Sequence, residues 1–219
     1  MSSSTFIRAR TESQRSQRRT MIVEAAAEML DEMPVGDLSL NELARHVGLA
    51  KSNVLRYFQT REAVLLELYS REYSAWLDAL ELRLDGSHDV ETVARAIAAT
   101  AAERPRFCEL CSASAGVLER NVSGEAAAGY KREAIAQAER LAQLIGLERD
   151  LHDPRALVAV AGINLAIAGI WAAGRPSSGM RQAYHDHPEL RPLQVDFATG
   201  VRELIATLLV GLSHRTPKP

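Results

Sequence analysis

Lys51, Ser52, Asn53, Arg56, Tyr57 and Arg61 lie within eleven residues of one another and share one kind of chemistry. None is placed as a nucleophile or metal ligand, and all offer polar hydrogens to an anionic or polar partner. Lysine donates to guanine or to phosphate, asparagine pairs with adenine through two hydrogen bonds, and serine serves either. Arginine and tyrosine suit phosphate contacts, which position a protein without reading sequence. Ser39 and Asn41, one helix earlier, complete the set of candidate DNA-contact residues. The bland alternative is a helical corner with an ordinary solvated face.

These residues need an element that enters a groove, and the surrounding pattern supplies one. Leu40, Leu43, Ala44 and Val47 repeat at i, i+3, i+4 and i+7, the spacing of one helical face. Ser39 followed by Glu42 is a capping box that fixes the helix start. Gly48 ends the helix, because glycine takes the left-handed conformation that a helix C-terminus commonly needs. A second helix follows from about Lys51 to Phe58, with Val54 and Phe58 facing inward. Two short helices joined by a tight turn form a helix-turn-helix, whose second helix lies in the DNA major groove.

The stretch from Arg19 to Leu66 resembles the DNA-binding domain of the TetR family of bacterial transcriptional regulators. The resemblance rests on Ile22-Val23-Glu24-Ala25-Ala26, Leu43-Ala44, Gly48, Lys51-Ser52-Asn53, Phe58 and Thr60-Arg61-Glu62. Leu55 stands where the family usually has a phosphate-contacting tyrosine, which leaves open whether Tyr57 takes that role. Arg61 stands where family members usually have lysine, and keeps the charge. The resemblance implies a dimeric repressor that binds a palindromic operator and is released by a small molecule in a second domain.

Other constellations are weaker. Cys108-Glu109-Leu110-Cys111 puts two sulfurs on one helical face, but no βα junction accompanies it and no second ligand pair exists for zinc. Two small apolar core residues are the simpler reading; a redox- or metal-responsive regulator using Cys108 and Cys111 is the alternative. His185-Asp186-His187 reads as a solvated loop before a metal site. His46 sits between the helix-turn-helix elements, where it reaches phosphate or simply the surface. Asn164, in an uncharged helix, either pairs with its dimer mate or orients a ligand. Trp76, Phe107, Cys111, Tyr130, Asn164 and Trp171 are the candidate ligand-binding residues, although the aromatics are core residues by type. No glycine-rich phosphate loop, nucleophile motif or paired acid–base pattern is present, so neither an enzyme nor a cofactor is expected. A helical adaptor without DNA binding is the remaining class.

The 219 residues contain 47% hydrophobic residues but only 5% aromatics. An aliphatic, alanine-rich core favours helices, and no run alternates with a two-residue period. An all-α fold is therefore expected, with an N-terminal three-helix unit followed by a C-terminal helical bundle for dimerisation and ligand binding. The net charge is −2, yet residues 1–61 carry nine Lys and Arg against seven Asp and Glu. The remainder is acidic, so DNA is repelled except at the intended face.

Residues 1–14 read as a flexible basic arm with Arg8 and Arg10, residues 15–59 as the DNA-binding domain, and residues 60–219 as the regulatory and dimerisation domain. The N-terminus lacks the apolar region of a signal peptide, which points to the cytoplasm. Helices are expected over about 17–33, 60–84, 89–103, 105–120, 124–145, 154–174 and 193–212, with a polar loop over 175–192 and a frayed tail over 213–219. Ala156 to Gly174 contains no charge over nineteen residues. That length permits a membrane span, but alanine, glycine and Asn164 fill the segment and no second span accompanies it. A helix apolar all round is instead buried in an assembly. The helices near 154–174 and 193–212 are therefore expected to pair with their mates across a homodimer. Abundant alanine and glycine leave room for an uncharged or amphiphilic effector between the long helix and the three helices spanning about 105–174.

Overall fold

The computed structural model describes residues 3–148 and 150–215, apart from the side chains of residues 3–12 and Ala115. Met1, Ser2, the side chains of Arg8 and Arg10, and the tail from residue 216 therefore lie outside the described residues. The described residues form ten α-helices, one π-helical stretch and one 3-10 helix, without a strand. They group into two compact units, Met1–Ser70 with Ser114–Tyr130, and Arg71–Ala113 with Lys131–Pro219. The divide falls inside the fourth helix rather than at residue 60, and a second crossing falls between Ala113 and Ser114.

In the first unit, α1 spans Ser3–Glu32, α2 Leu40–His46 and α3 Lys51–Leu55. The helix start near Gln17 is corrected: α1 begins at Ser3, so most of the expected arm is helical backbone. No proline or glycine interrupts residues 3–33, and a helix propagates readily once its apolar half is anchored. That anchor is Ile22, Val23, Ala25, Ala26 and Met29, all buried. Pro34 follows the last turn and stops it. The Ser39 hydroxyl accepts the Glu42 N–H at 3.2 Å and donates to the Glu42 carboxylate at 2.7 Å, which fixes the start of α2. At its end the Gly48 N–H donates to Arg45 O and the Leu49 N–H to Ala44 O. This Schellman closure requires the left-handed Gly48 at φ 65°.

The fourth helix, α4, runs Arg61–Leu84, and the Thr60 hydroxyl accepts the Ala63 N–H at 3.2 Å. In the second unit follow α5 Val90–Ala102 and α6 Pro105–Ala113. A π-helical stretch, Ser114–Leu118, then opens the return segment of the first unit. After it come α7 Gly124–Leu144, α8 Pro154–Ala173, α9 Ser178–Asp186, a 3-10 helix Pro188–Leu193 and α10 Phe197–His214. Within the second unit α10 packs on α5 and α8, and α8 packs on α6. Fully burying a valine, leucine or isoleucine side chain is worth about 1.5–3 kcal/mol, and Val93, Ile97, Leu110, Ile163, Ile167, Val201 and Ile205 are all wholly buried here.

The polar loop over 175–192 is a second correction. Ser177 caps α9 by accepting the Met180 N–H at 3.3 Å. The nine-residue helix buries no residue, and its apolar repeat is only the short Met180, Ala183, Tyr184 spacing. His185 and His187 are exposed, and no cluster of three potential metal ligands occurs among the described residues.

One helix, α8, has the length and composition to cross a membrane, with 33% of its apolar window buried. Leu157, Val158 and Leu165 project from it at 52%, 43% and 73% exposure. Leu204 and Val210 are similarly exposed on α10.

Candidate nucleic-acid interface

The short helix α3 is positioned by its apolar residues. Val54 is wholly buried and Phe58 nearly so. Five residues are too few for a stable isolated helix, so these anchors decide where α3 points. Their burial turns Lys51, Ser52, Asn53, Leu55 and Arg56 outward, all exposed, and leaves Tyr57 half-buried. Among the described residues no side-chain hydrogen bond or ion pair engages Lys51, Ser52, Asn53 or Arg56. Four exposed polar side chains thus lie within six residues on α3 and the turn that follows it, with their hydrogen-bonding groups open to solvent. Asn41 is exposed at the start of α2, whereas Ser39 is occupied with its cap. Leu55, which stands where the family usually has a phosphate-contacting tyrosine, is 39% exposed and offers no donor.

Arg61, His46 and Arg19 of this unit are engaged internally. Arg61 Nη1 donates to Gly36 O at 3.0 Å and Leu38 O at 2.8 Å, and its Nε donates to the Glu62 carboxylate at 2.9 Å. Those bonds tie the α1–α2 loop to the start of α4. His46 meets Glu28 at 3.0 Å. Arg19 donates to Tyr57 O at 2.7 Å, pairs with Glu67, and places its guanidinium 4.2 Å from the Phe58 ring centroid. No spacing rule connects residues 19, 57 and 67, so the sequence offers no signal for this triple contact.

The six candidate ligand residues divide. Trp76 and Phe107 are wholly buried and stacked at 4.8 Å, with Tyr73 edge-on to both. The Trp76 indole N–H donates to the Thr100 hydroxyl at 3.0 Å. Asn164 accepts the Tyr73 hydroxyl at 3.2 Å, and its backbone oxygen accepts the Cys111 thiol at 3.7 Å. These side chains form a packed aromatic and polar cluster inside the second unit. Trp171 sits nearby in chain but has other partners: its indole donates to Glu109 at 2.8 Å and Arg175 lies over its ring. Tyr130 belongs to the first unit, 6.4 Å from Tyr69.

An open cleft of about 580 Å³ lies along α4 and α7, lined among others by Leu77, Glu81, His88, Gln137, Arg140 and Leu144. None of the six candidates lines it. Arg140 donates to Asp78 at 2.7 Å and pairs with Glu81 across its rim.

Cys108 and Cys111 are both free and buried. Burial pushes the Cys108 thiol up to about 12, and it donates to Ala101 O at 3.3 Å. A protonated, enclosed thiol is neither a nucleophile nor a ready metal ligand.

Residues 22–68 match the family model described as bacterial regulatory proteins, tetR family. Residues 70–216 match the model described as tetracyclin repressor-like, C-terminal domain. Among curated proteins nothing matches the chain significantly. A similar solved structure is Thermus thermophilus FadR, a TetR family transcriptional repressor in complex with lauroyl-CoA. It is 16% identical with a TM-score of 0.56, over 92% of this chain and 98% of that one. A TetR transcriptional regulator from Rhodococcus sp. RHA1 is 17% identical with a TM-score of 0.51, over 90% and 99%. At those identities the likenesses speak for the fold alone.

Proposed function

Because the chain belongs to the tetR family of bacterial regulatory proteins, we propose that it is a dimeric, non-catalytic repressor that a small molecule releases from a palindromic DNA operator. The observation that carries the reading is the unengaged polar face of α3. Lys51, Ser52 and Asn53 read base edges, while Arg56 and the half-buried Tyr57 meet phosphate. Asn41 and Ser39 flank the same face from α2. Arg61 commits its Nε and Nη1 to the domain and leaves only Nη2 for phosphate, so its contribution is chiefly to hold the domain. A DNA-binding regulator of this kind works in the cytoplasm.

Dimerisation is supported by the exposed apolar side chains of α8 and α10. A second copy covers Leu157, Leu165 and Leu204 on this reading, rather than a bilayer. The effector is a small amphiphile taken by the second unit. FadR, with lauroyl-CoA bound, offers a precedent for that class in a protein of like fold. The packed Trp76–Phe107–Tyr73 cluster leaves little room between α4 and α6, whereas the cleft along α4 and α7 falls within the usual ligand-pocket range of about 300–1,000 Å³. The redox alternative finds less support, since both thiols are enclosed and Cys108 stays protonated.

The test begins with the wild-type protein selecting duplexes from a randomised pool. A recovered palindrome is the expected result. Asn53→Ala should then weaken binding by about 1–3 kcal/mol and relax base preference at one position per half-site. Recovery of no sequence preference, or an Asn53→Ala protein with unaltered affinity and preference, would remove α3 as the reading element.

A further inference from the structure

We propose that Arg19 is a positioning residue for DNA recognition: its single guanidinium fastens the C-terminal end of α3 to α4. This rests on the reading of α3 as the element that meets DNA. Three contacts converge on the group. One nitrogen donates to the Tyr57 carbonyl at 2.7 Å, the other pairs with Glu67 on α4, and the plane lies 4.2 Å from the Phe58 centroid.

Each contact addresses a weakness of a five-residue helix. Carbonyls at a helix end lack intrahelical partners, and Arg19 supplies one to the turn that closes α3. Phe58, which anchors that turn, is 2% exposed and carries the guanidinium on its ring. Val54 holds the middle of α3 by packing alone, which restrains distance better than rotation about its own side chain. A fork with a carbonyl on one side and a carboxylate on the other fixes rotation as well, because arginine donors are held in one plane. Glu67 makes the arrangement transmissive. Any rotation of α4 that carries Glu67 away pulls on the same guanidinium that holds Tyr57. The recognition helix thereby follows α4 rather than α2 alone.

The rival account is that Arg19, lying among Arg15 and Arg18, simply contacts phosphate. Amide exchange and the lysine variant separate the two. Losing one phosphate contact lowers the slope of log K on log salt by about one unit, leaves exchange in the free protein as it was and is restored by lysine, whereas misplacing α3 speeds that exchange and is not restored by lysine. The variants are Arg19→Met, Arg19→Lys and Glu67→Gln, measured against a duplex selected by the wild-type protein. Hydrogen exchange of the Val54–Phe58 amides in the free protein is followed in parallel. Arg19→Met and Arg19→Lys should each lose roughly tenfold or more in affinity, the scale of one charged hydrogen bond. Glu67→Gln should lose less, in the same manner. All three should speed exchange at Tyr57 and Phe58. A slope lowered by one unit with exchange unaltered would make Arg19 a phosphate contact and overturn the proposal. Full affinity in Arg19→Lys would overturn it too, since charge without the fork would then suffice. If Arg19→Met does not fold, the other two variants still decide. If the wild type selects no duplex, the reading of α3 as the DNA element fails, while unaltered exchange in the variants would separately refute the fastening.

Discussion

Lys51 and Arg56 differ from Arg19, His46 and Arg61 in what holds them. Side chains of the second group are tied to carbonyls and carboxylates of their own unit, and the first two have no such partner among the described residues. Arg61 therefore has a stability role that charge alone does not reveal. Arg61→Ala should cost about 1–3 kcal/mol, because two carbonyls lose a charged donor. A denaturant midpoint unchanged from the wild type would contradict that assignment. Cys108 gives a pH prediction. The unfolded thiol ionises near 9.0, and the folded one is pushed up to about 12. Between those values the native state keeps a proton that the unfolded chain has lost, so stability is full below pH 9 and declines as pH rises. Cys108→Ala should flatten that alkaline decline, read from urea midpoints at neutral pH and at about pH 10.5. Peroxide should leave DNA binding by the wild type unaffected, and a Cys108/Cys111 double serine variant should behave alike.

The ends of the helices are set by a few local devices. Asp89 and Asp196 cap α5 and α10, and each carboxyl lies below its usual range: Asp89 chiefly because it accepts the Thr92 N–H, Asp196 chiefly because it accepts the Thr199 hydroxyl and then its N–H. Both caps weaken as pH falls through those lowered values. Gly146 closes α7 as Gly48 closes α2, with its N–H on Gln143 O and the Leu147 N–H on Ala142 O. It stands at φ 80°, and a Cβ there would lie 2.9 Å from His88 Cβ. Gly146→Ala should lower stability by about 1–2 kcal/mol through the left-handed backbone alone, with the His88 contact adding to it. Removing His88 as well should recover only the second part. A double variant as stable as the wild type would show that the contact, not the backbone, was the whole effect.

For the whole molecule the exposed apolar face of α8 and α10 is the dominant feature. Gly162 brings the two helices together inside the protomer, where an added Cβ would meet Leu208 Cδ2 at 2.5 Å. Their outward residues have no such cover. Leu165→Glu and Leu204→Glu should each convert a dimer to monomers or to insoluble protein, because a charge opposite its own symmetry mate is repeated in a twofold interface. Sedimentation of a monomeric wild type at micromolar concentration, or of an intact dimer in both variants, would refute the proposed interface.

Local physics made much of this legible from the residues alone. The Ser39 capping box, the left-handed Gly48 and the inward Val54 and Phe58 are short-range properties of backbone sterics and side-chain spacing. They placed the helix-turn-helix and its exposed residues without reference to the rest of the chain. The aliphatic composition made the fold helical, and the uncharged run became α8. What depended on distance in sequence was not legible. Arg19, Tyr57 and Glu67 meet only because three helices cross, and no pattern in the chain encodes that meeting. The candidate pocket residues converged only in part for the same reason: packing joined Trp76, Phe107, Asn164 and Cys111 through Tyr73, but gave Trp171 to Glu109 and Tyr130 to the other unit. α9 was not legible because its apolar spacing, Met180, Ala183 and Tyr184, covers little more than one turn among polar residues, too short a repeat to tell a helix from a loop.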